Sequence, residues 1–240
     1  MAKPLPILLM TRPKAQAEDV VAALRDAGAR FDAIYAPLIG VAWTGAMPEQ
    51  EGLGGLIFTS ANGVRAWAQR GGRSDLPCYA VGGATAAAAA DAGLQAISAD
   101  GNAEDLIALL AERKPEGAWL HVRGVHSRGD VAGRLSAAGM HIEACVLYDQ
   151  PALEPTAEAL DALAGKAPVV APLYSPRTAA LFARLPIKAP LLVAGLSQAV
   201  VKPVAALHIY KQKIATRPES DAMLAAVLEM LEFAGESGES

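Results

Sequence analysis

The chain has 240 residues, which is enough for one large domain or two ordinary ones. Hydrophobic residues make up 52% of the sequence and charged residues 19%, a globular composition that excludes extended disorder over most of the chain. The net charge of −4 excludes a globally basic surface for nucleic acid or an anionic membrane, so a polyanionic ligand would need local basic groups.

Short apolar runs alternate with amphipathic or alanine-rich segments, a pattern typical of parallel α/β units. The first half predicts strands near 6–10, 55–59, 77–81 and 95–98 and helices near 14–27, 61–70, 84–92 and 103–113. The second half predicts strands near 118–122, 168–174, 190–194 and 207–211 and helices near 127–138, 156–164, 176–185, 197–206 and 219–233. Gly28 and Gly93 follow helices where left-handed caps are expected. We expect the acidic tail 235–240 to be mobile.

The two cysteines, Cys78 and Cys145, lie far apart and form no CxxC pair. The sequence therefore predicts neither a zinc site nor a disulfide framework. Cys78 falls inside a predicted buried strand, which favours a core thiol over a nucleophile. The first apolar run has about five residues, shorter than a secretory core or a membrane span. We therefore expect a cytoplasmic protein.

The two halves of the chain repeat one another. Matching residues recur at spacings of 111 to 115 positions: Arg12 with Arg123, Gly28 with Gly139, Ser60 with Ser175, and Gly82 with Gly195. Because the spacing is nearly constant over successive strand-helix segments, it indicates a duplication. The chain is predicted to hold two copies of one series, at about 6–113 and 117–234.

The loops after the predicted strands carry threonine, serine, asparagine or glycine where the next helix begins. Parallel sheets place ligand sites at the carboxyl ends of their strands, so free N–H groups and short hydroxyls would converge there to hold carboxylates or phosphates. These residue types are also ordinary helix N-caps, and the sequence leaves both interpretations open. Arg12 and Arg123 each lie at the end of the first strand of a copy. The sequence leaves open whether they act as anion clamps or are solvated surface arginines.

Several common motifs are missing. No GxGxxG follows a strand and no GxxxxGK[ST] is present, which argues against a nicotinamide or nucleotide site. The four histidines show no HExxH spacing, and no GxSxG marks a serine nucleophile, so metal and triad chemistry are poorly supported. A flavin or nicotinamide protein on a flavodoxin-like sheet is a further hypothesis, which the absorbance spectrum of the purified protein would test.

A series of segments, taken in order, resembles the uroporphyrinogen-III synthase family. They are TRP after the first strand, LIFTSANGVRAW, YAVGGATAAA, GNAEDL, VLY and YSPRTAALF. No single segment is diagnostic, but their order and spacing extend over nearly the whole chain. The resemblance implies an α/β, flavodoxin-like fold class: two similar domains with parallel sheets flanked by helices, joined by a two-stranded ladder with a cleft between them.

The resemblance also implies that the domains are not the two halves of the chain. The first strand and helix of each copy would pack with the remainder of the other copy. Residues 1–36 and 152–240 would then form one discontinuous domain and residues 41–143 the other. The extended stretches 31–41 and 141–151 would form the ladder.

The activity implied by this resemblance is that of a lyase in tetrapyrrole biosynthesis, with no cofactor and no metal. Such an enzyme takes linear hydroxymethylbilane, removes its terminal hydroxyl as water and closes the macrocycle with the last pyrrole ring inverted. The steps pass through azafulvene and spiro intermediates. The resemblance further implies a monomer that receives its polycarboxylate substrate from hydroxymethylbilane synthase and has no nucleic-acid or membrane partner.

The resemblance also implies site residues at the matching positions. Tyr148, in VLY, corresponds to a tyrosine at the departing hydroxyl, as a hydrogen-bond donor or general acid. A tyrosine packed at a hinge is the structural alternative. The implied substrate-binding residues form two walls, one with Thr59, Ser60, Gly82, Thr85, Gly101 and Asn102, the other with Arg12, Ser175 and Gly195.

Two positions depart from the family pattern. Glu219 stands where a threonine is common before the last helix, which removes a hydroxyl contact unless Ser220 or Thr216 supplies it. Gln198 stands at the second-copy counterpart of Thr85.

The alternative function is that of a non-catalytic, two-domain binding or regulatory protein, which would bind a small molecule on the same fold.

Overall fold

A computed structural model describes residues 5–127 and 129–236. In chain order the elements are β1 (Ile7–Met10), α1 (Lys14–Asp26), β2 (Asp32–Tyr35), β3 (Ala42–Trp43), β4 (Leu53–Phe58), α2 (Ala61–Gln69), β5 (Pro77–Ala80), α3 (Gly83–Asp91), β6 (Gln95–Ser98), α4 (Ala103–Arg113), β7 (Ala118–Gly124), α5 (Val131–Ala137), β8 (Ile142–Asp149), α6 (Ala157–Ala164), β9 (Val169–Leu173), α7 (Pro176–Phe182), β10 (Leu191–Gly195), α8 (Gln198–Val201), a 3-10 helix (Lys202–Val204), β11 (Ile209–Ile214) and α9 (Ser220–Glu236). They fall into two compact units: unit 1, Met1–Gly40 with Ala152–Ser240, and unit 2, Val41–Pro151.

Unit 1 contains a five-stranded parallel sheet in the order β2-β1-β9-β10-β11. Helices α6, α7 and α8 cover one face, and α1 and α9 cover the other. Because both faces are covered, β9 and β10 are buried at every position and read as continuous apolar runs. These two strands could therefore be located in the sequence from their continuous apolar runs.

Unit 2 contains a six-stranded sheet in the order β3-β8-β7-β4-β5-β6. All neighbours are parallel except β3, which is antiparallel to β8. Helices α2 and α3 pack on one face, and α4 and α5 pack on the other. Without β3, this sheet repeats the strand order of unit 1, as a duplication requires.

The first strand and helix of each copy lie with the later strands of the other copy. Strand β1 pairs with β9, and β7 pairs with β4, so each sheet is built from both halves of the sequence. In each unit the strands follow the flavodoxin-like order 2-1-3-4-5, counted along the chain segments that form the sheet. The α/β fold class expected from the sequence is confirmed.

Predicted and observed elements agree closely in the first copy, and Gly28 and Gly93 adopt left-handed caps with φ of +85° and +79°. In the second copy, the helix predicted at 127–138 begins only at Val131, and residue 128 lies outside the described residues. The helix predicted at 197–206 changes to 3-10 geometry at Lys202–Val204, because Pro203 lacks the N–H that an α-helix would use.

The predicted ladder segments are corrected in extent. Residues 32–35 and 142–147 belong to the parallel sheets, because β2 pairs with β1 and β8 pairs with β7. The antiparallel pairs are Ile39 with Ala152, in unit 1, and Ala42 with Asp149 and Trp43 with Tyr148, in unit 2. The predicted start of the mobile tail, at residue 235, is too early, because residues 235 and 236 continue α9. Residues 237–240 lie outside the described residues.

Candidate functional site

The strand order marks one place in each sheet where a ligand site is expected. In unit 1 the order reverses between β1 and β9, and in unit 2 between β7 and β4. Connections leave such a switch point toward opposite faces, which leaves a crevice outside the carboxyl ends of the two strands. Four of the ten site residues selected from the sequence lie at these carboxyl ends: Arg12, Thr59, Ser60 and Ser175. The other six lie at or after the ends of β5, β6, β8 and β10.

Thr59 and His121 meet at the switch point of unit 2. Thr59 Oγ1 lies 3.2 Å from His121 Nε2, which joins the end of β4 to β7. His121 is only 2% exposed, and its Nδ1 has no hydrogen-bond partner within the described residues. Burial, assisted by the nearby positive charge of Arg123, lowers the pKa of His121 to about 4, while Asp130 opposes the change. The imidazole is therefore neutral at pH 7.

Arg123, the second-copy counterpart of Arg12, is held by its own loop. Its Nη1 donates to the Ser127 hydroxyl at 2.7 Å and to the carbonyl of Gly124 at 3.2 Å. A cavity of about 170 Å³ adjoins this arrangement and is lined partly by His121 and Asp130. Arg123 therefore organises the loop after β7 with one end of its guanidinium, which is more than a solvated surface arginine does.

Three predicted binding residues cap helices. Ser60 accepts from the N–H of Asn62 at 3.2 Å. Asn102 accepts from the N–H of Glu104 at 2.7 Å, while its own N–H donates to Asp105 at 2.8 Å, a complete capping box. The N-cap interpretation left open by the sequence is confirmed for these residues. Ser175 completes the set by accepting from the N–H of Thr178 at 3.1 Å.

Helix α3, by contrast, begins without a side-chain cap. Gly82 is its N-cap residue; Gly83 and Ala84 are exposed residues, and their N–H groups have no hydrogen-bond partner within the described residues. A Cβ added to Gly82 would lie 3.5 Å from the carbonyl oxygen of Gly101, so the two glycine loops are adjacent. Thr85 lies buried in the first turn and donates its N–H to the carbonyl of Gly82. The open first turn offers donors to an anion.

Tyr148 lies near the carboxyl end of β8 and is 5% exposed. Its ring packs so closely over Gly124 that a Cβ added there would be 2.6 Å from Cε2 and 2.8 Å from Cζ. Its hydroxyl has no hydrogen-bond partner in the part of the chain that the structure describes. The ring is thus fixed by packing while the O–H is left available, an arrangement compatible with either role considered from the sequence.

Arg12 lies at the carboxyl end of β1, at the switch point of unit 1. Its guanidinium carbon is 4.0 Å from the centroid of the Tyr174 ring. Its Nε and Nη2 donate to Gln16 Oε1 at 3.2 and 2.9 Å. Arg12 is half-buried. Neighbours in unit 1 therefore orient Arg12, and its role as an anion clamp stays a prediction.

Three other positions of unit 1 were singled out from the sequence, and only Gly195 has a packing role. A Cβ at Gly195 would overlap Cγ1 of Val201, so glycine is needed there for α8 to approach β10. Gln198 is the exposed first residue of α8. Glu219 pairs with Arg217 at 3.3 Å, and its carbonyl accepts the N–H of Met223 at the start of α9.

Sequence reasoning missed three residues that shape these sites: His121, Tyr174 and Gln16. A signal for two of them was present. Tyr174 stands 115 positions after Thr59, and Gln16 stands four positions after Arg12, just as Ser127 stands four after Arg123. The third, His121, lies within a buried strand, and nothing in the sequence pairs it with Thr59.

The thiols and acidic side chains give no further chemistry. Burial raises the pKa of Cys78 to about 11, as expected for a core thiol. Among residues 5–127 and 129–236, no group of three His, Cys, Asp or Glu residues is arranged to hold a metal ion. Two larger cavities, of about 720 and 530 Å³, lie at the amino ends of the strands, beside Pro168 and Pro115 respectively. They are therefore remote from the switch points.

The comparisons with known proteins identify the family. A family model described as uroporphyrinogen-III synthase HemD matches residues 18–225. The chain belongs to the uroporphyrinogen-III synthase family. A search of curated proteins finds no match. The resemblance seen in TRP, TSANG, GGAT and VLY is thereby confirmed at the level of the family.

Two solved members of this family have a similar fold. The crystal structure of uroporphyrinogen-III synthetase from Helicobacter pylori 26695 is 16% identical, with a TM-score of 0.69 over 94% of this chain and 99% of that one. A mutant uroporphyrinogen III synthase from the extremely thermophilic bacterium Thermus thermophilus is 15% identical, with a TM-score of 0.51 over 97% and 99% of the two chains. At this identity the likeness shows the fold alone.

Within residues 5–127 and 129–236, no helix combines enough length and apolar character to cross a membrane.

Proposed function

We propose that this chain closes linear hydroxymethylbilane to uroporphyrinogen III, with inversion of the last pyrrole ring and loss of water. The observation that carries the proposal is the match of the uroporphyrinogen-III synthase family model to residues 18–225. The donors at the two switch points support it, because the substrate is a polycarboxylate. No cofactor is required, and the finer assignment is that of a cyclising hydro-lyase.

The protein's first task is to hold a flexible polyanion although its net charge is −4. Local donors can do this: the open N-terminus of α3 presents the N–H groups of Gly83 and Ala84, and Arg12 presents a fixed guanidinium. We assign substrate contacts to the loops with Thr59, Ser60, Gly82, Gly101 and Asn102. In unit 1 the proposed contacts are Arg12 and the loops of Ser175 and Gly195. Holding one curled conformer lowers the barrier to ring closure by orientation.

The second task is to assist departure of the hydroxyl. We propose that the Tyr148 O–H donates to this oxygen, which leaves as water when a proton reaches it, and the remaining methylene becomes an azafulvene cation. The far pyrrole ring attacks that carbon through its substituted position to form a spiro intermediate. The spiro intermediate then breaks the original bond between that ring carbon and the methylene of the neighbouring pyrrole. The released methylene bonds to the unsubstituted carbon of the inverted ring, and loss of the proton on that carbon restores the aromatic pyrrole.

The deciding experiment supplies hydroxymethylbilane to the purified protein and separates the two product isomers. The III isomer is expected to form faster than the I isomer that arises without catalysis. If only the I isomer forms, at the rate seen without protein, the synthase assignment is lost. Tight binding of the substrate without the III isomer would then favour the non-catalytic binding protein.

Tyr148→Phe tests the proposed donor, since it removes one oxygen and keeps the packed ring. We expect turnover to fall by about tenfold or more, because the variant lacks the proposed donor. The thermal unfolding midpoint should stay close to that of the unmodified protein. Tyr210→Phe is the matched control, because Tyr210 is 62% exposed and lies on β11. Equal turnover in both variants would return Tyr148 to a packing role.

A further inference from the structure

Arg12 is fixed by two neighbours that carry no formal charge. The guanidinium lies over the face of Tyr174, with 4.0 Å from its carbon to the ring centroid. Gln16 accepts two of its N–H groups on one amide oxygen. Burial raises the pKa of the Tyr174 hydroxyl, and although Arg12 opposes the rise, the phenol stays protonated and neutral at pH 7. Both neighbours therefore orient the cation without cancelling its charge.

Three other arginines in the described part of the chain are paired with acids. Arg73 pairs with Asp75 at 2.7 Å, Arg134 pairs with Glu104, and Arg217 pairs with Asp221 at 2.9 Å. Arg12 forms no ion pair with any acidic residue within 5–127 and 129–236. Besides its two bonds to Gln16, Arg12 interacts with the Tyr174 hydroxyl, and this lowers the pKa of that phenol against the effect of burial. A half-buried cation that is oriented by its neighbours and has no acidic partner among the described residues suits an incoming carboxylate.

The sheet provides space beside this cation. Hydrogen-bonded pairing between β1 and β9 ends at Leu8 and Val170, although both strands continue. Pro172, two residues further along β9, has no N–H with which to extend a ladder. Tyr174 follows directly after β9, and Arg12 lies two residues after β1. The cation–π contact therefore lies at the switch point, where sheets of this kind place their ligands.

We propose that Tyr174 and Gln16 are positioning residues that hold Arg12 as a preorganised clamp for one carboxylate of the substrate. The proposal rests on the proposed function for the identity of that substrate. It goes beyond the assignment of Arg12 as a contact, because it says what keeps the guanidinium oriented and uncompensated. A polycarboxylate is the ligand class, since a planar fork of N–H donors matches the carboxylate.

Gln16→Glu is the sharpest test, because it keeps the shape of the side chain and replaces the neutral acceptor by an acid. Gln16 is the third residue of α1, whose first turn has no acidic residue. A glutamate there faces the positive end of the helix and Arg12, so the unfolding midpoint should stay equal or rise. Neutralising Arg12 should nevertheless raise KM for hydroxymethylbilane by about tenfold with kcat little changed. Stability and binding are thus expected to move in opposite directions.

A double-mutant cycle separates this effect from simple repulsion of the substrate by a new negative charge. In an Arg12→Gln background, Gln16→Glu should change KM by less than about twofold. Gln69→Glu, at the exposed end of α2, adds the same charge as a control. If Gln16→Glu leaves KM unchanged, or raises it equally without Arg12, the clamp is refuted.

Tyr174 is tested by a pair of substitutions. Tyr174→Phe keeps the aromatic face and should retain the KM of the unmodified protein, whereas Tyr174→Leu removes that face and should raise KM severalfold. Equal KM values for Tyr174→Leu and Tyr174→Phe would remove Tyr174 from the clamp.

Direct binding keeps the test independent of catalysis. Uroporphyrin III, a stable polycarboxylate, can be titrated by fluorescence against the same variants at two salt concentrations. If the III isomer is not made but this affinity still falls in Gln16→Glu and depends on Arg12, the proposed function fails and the clamp stands. If the III isomer is made while both affinity and KM ignore Gln16→Glu, the clamp fails and the function stands.

Discussion

Acidification should destabilise this protein through His121. The unfolded imidazole titrates at about pH 6.5, whereas the folded one, buried in unit 2, has a pKa of about 4. Between these values the unfolded chain binds more protons than the folded chain, so stability falls as pH falls through this window. Above pH 6.5 both forms are neutral, and the group makes no pH-dependent contribution.

The size of the effect follows from the two pKa values. Their difference, at about 1.36 kcal/mol for each pKa unit, amounts to about 3 kcal/mol once pH is well below 4. By pH 4.5 about 2–3 kcal/mol of this loss should already be present. That is a large fraction of the stability of an ordinary domain.

The assay is urea unfolding at several values between pH 7 and 4.5, for the unmodified protein and for His121→Gln. Glutamine keeps an amide within reach of Thr59 but does not titrate, so carboxylate effects common to both proteins cancel in the difference. The stability advantage of the unmodified protein should shrink by about 2–3 kcal/mol over this range. A difference that stays constant with pH would refute the assignment of a buried neutral imidazole.

Two further predictions concern packing. Gly124→Ala should lower turnover and the unfolding midpoint together, because the new methyl group would displace the ring of Tyr148; Gly235→Ala, where a Cβ meets no atom within 4 Å, should do neither. Kinetic assays with thermal melts would check both variants, and normal turnover in Gly124→Ala would contradict the proposed dependence on ring position. Cys78 should resist alkylation at pH 8 in the native protein and react in denaturant, because burial raises its pKa to about 11. Peptide mapping would show this, and rapid native labelling of Cys78 would contradict it.

Local structure was predictable because its causes are local. Buried parallel strands such as β9 and β10 are continuous apolar runs, and helix ends are marked by residues such as Gly28, whose φ of +85° suits glycine. The boundary errors have local causes as well. Pro203 ends the α-helical geometry of α8, an effect that the apolar pattern around it did not reveal.

Part of the candidate site was predictable in the same way. Ser60 and Asn102 were selected because polar residues at strand-to-helix steps either cap helices or bind anions, and both cap. Tyr148 was selected because the sequence resembles a known family. The family model confirms membership of that family, and the role of Tyr148 stays a prediction. His121 escaped because its partner Thr59 is 62 positions away and belongs to another strand.

The sequence by itself determined the elements, the duplication and the family, since hydrophobic period, capping residues and repeated spacing are all properties of the chain order. Only the tertiary structure decided which chemistry-bearing side chains meet. Strand pairing brings Thr59 to His121 and Arg12 to Tyr174, and the burial that results lowers the pKa of His121. Hydrogen bonding across a sheet depends on which strands are neighbours, and desolvation depends on everything packed around a group, so neither can be obtained from residue spacing alone.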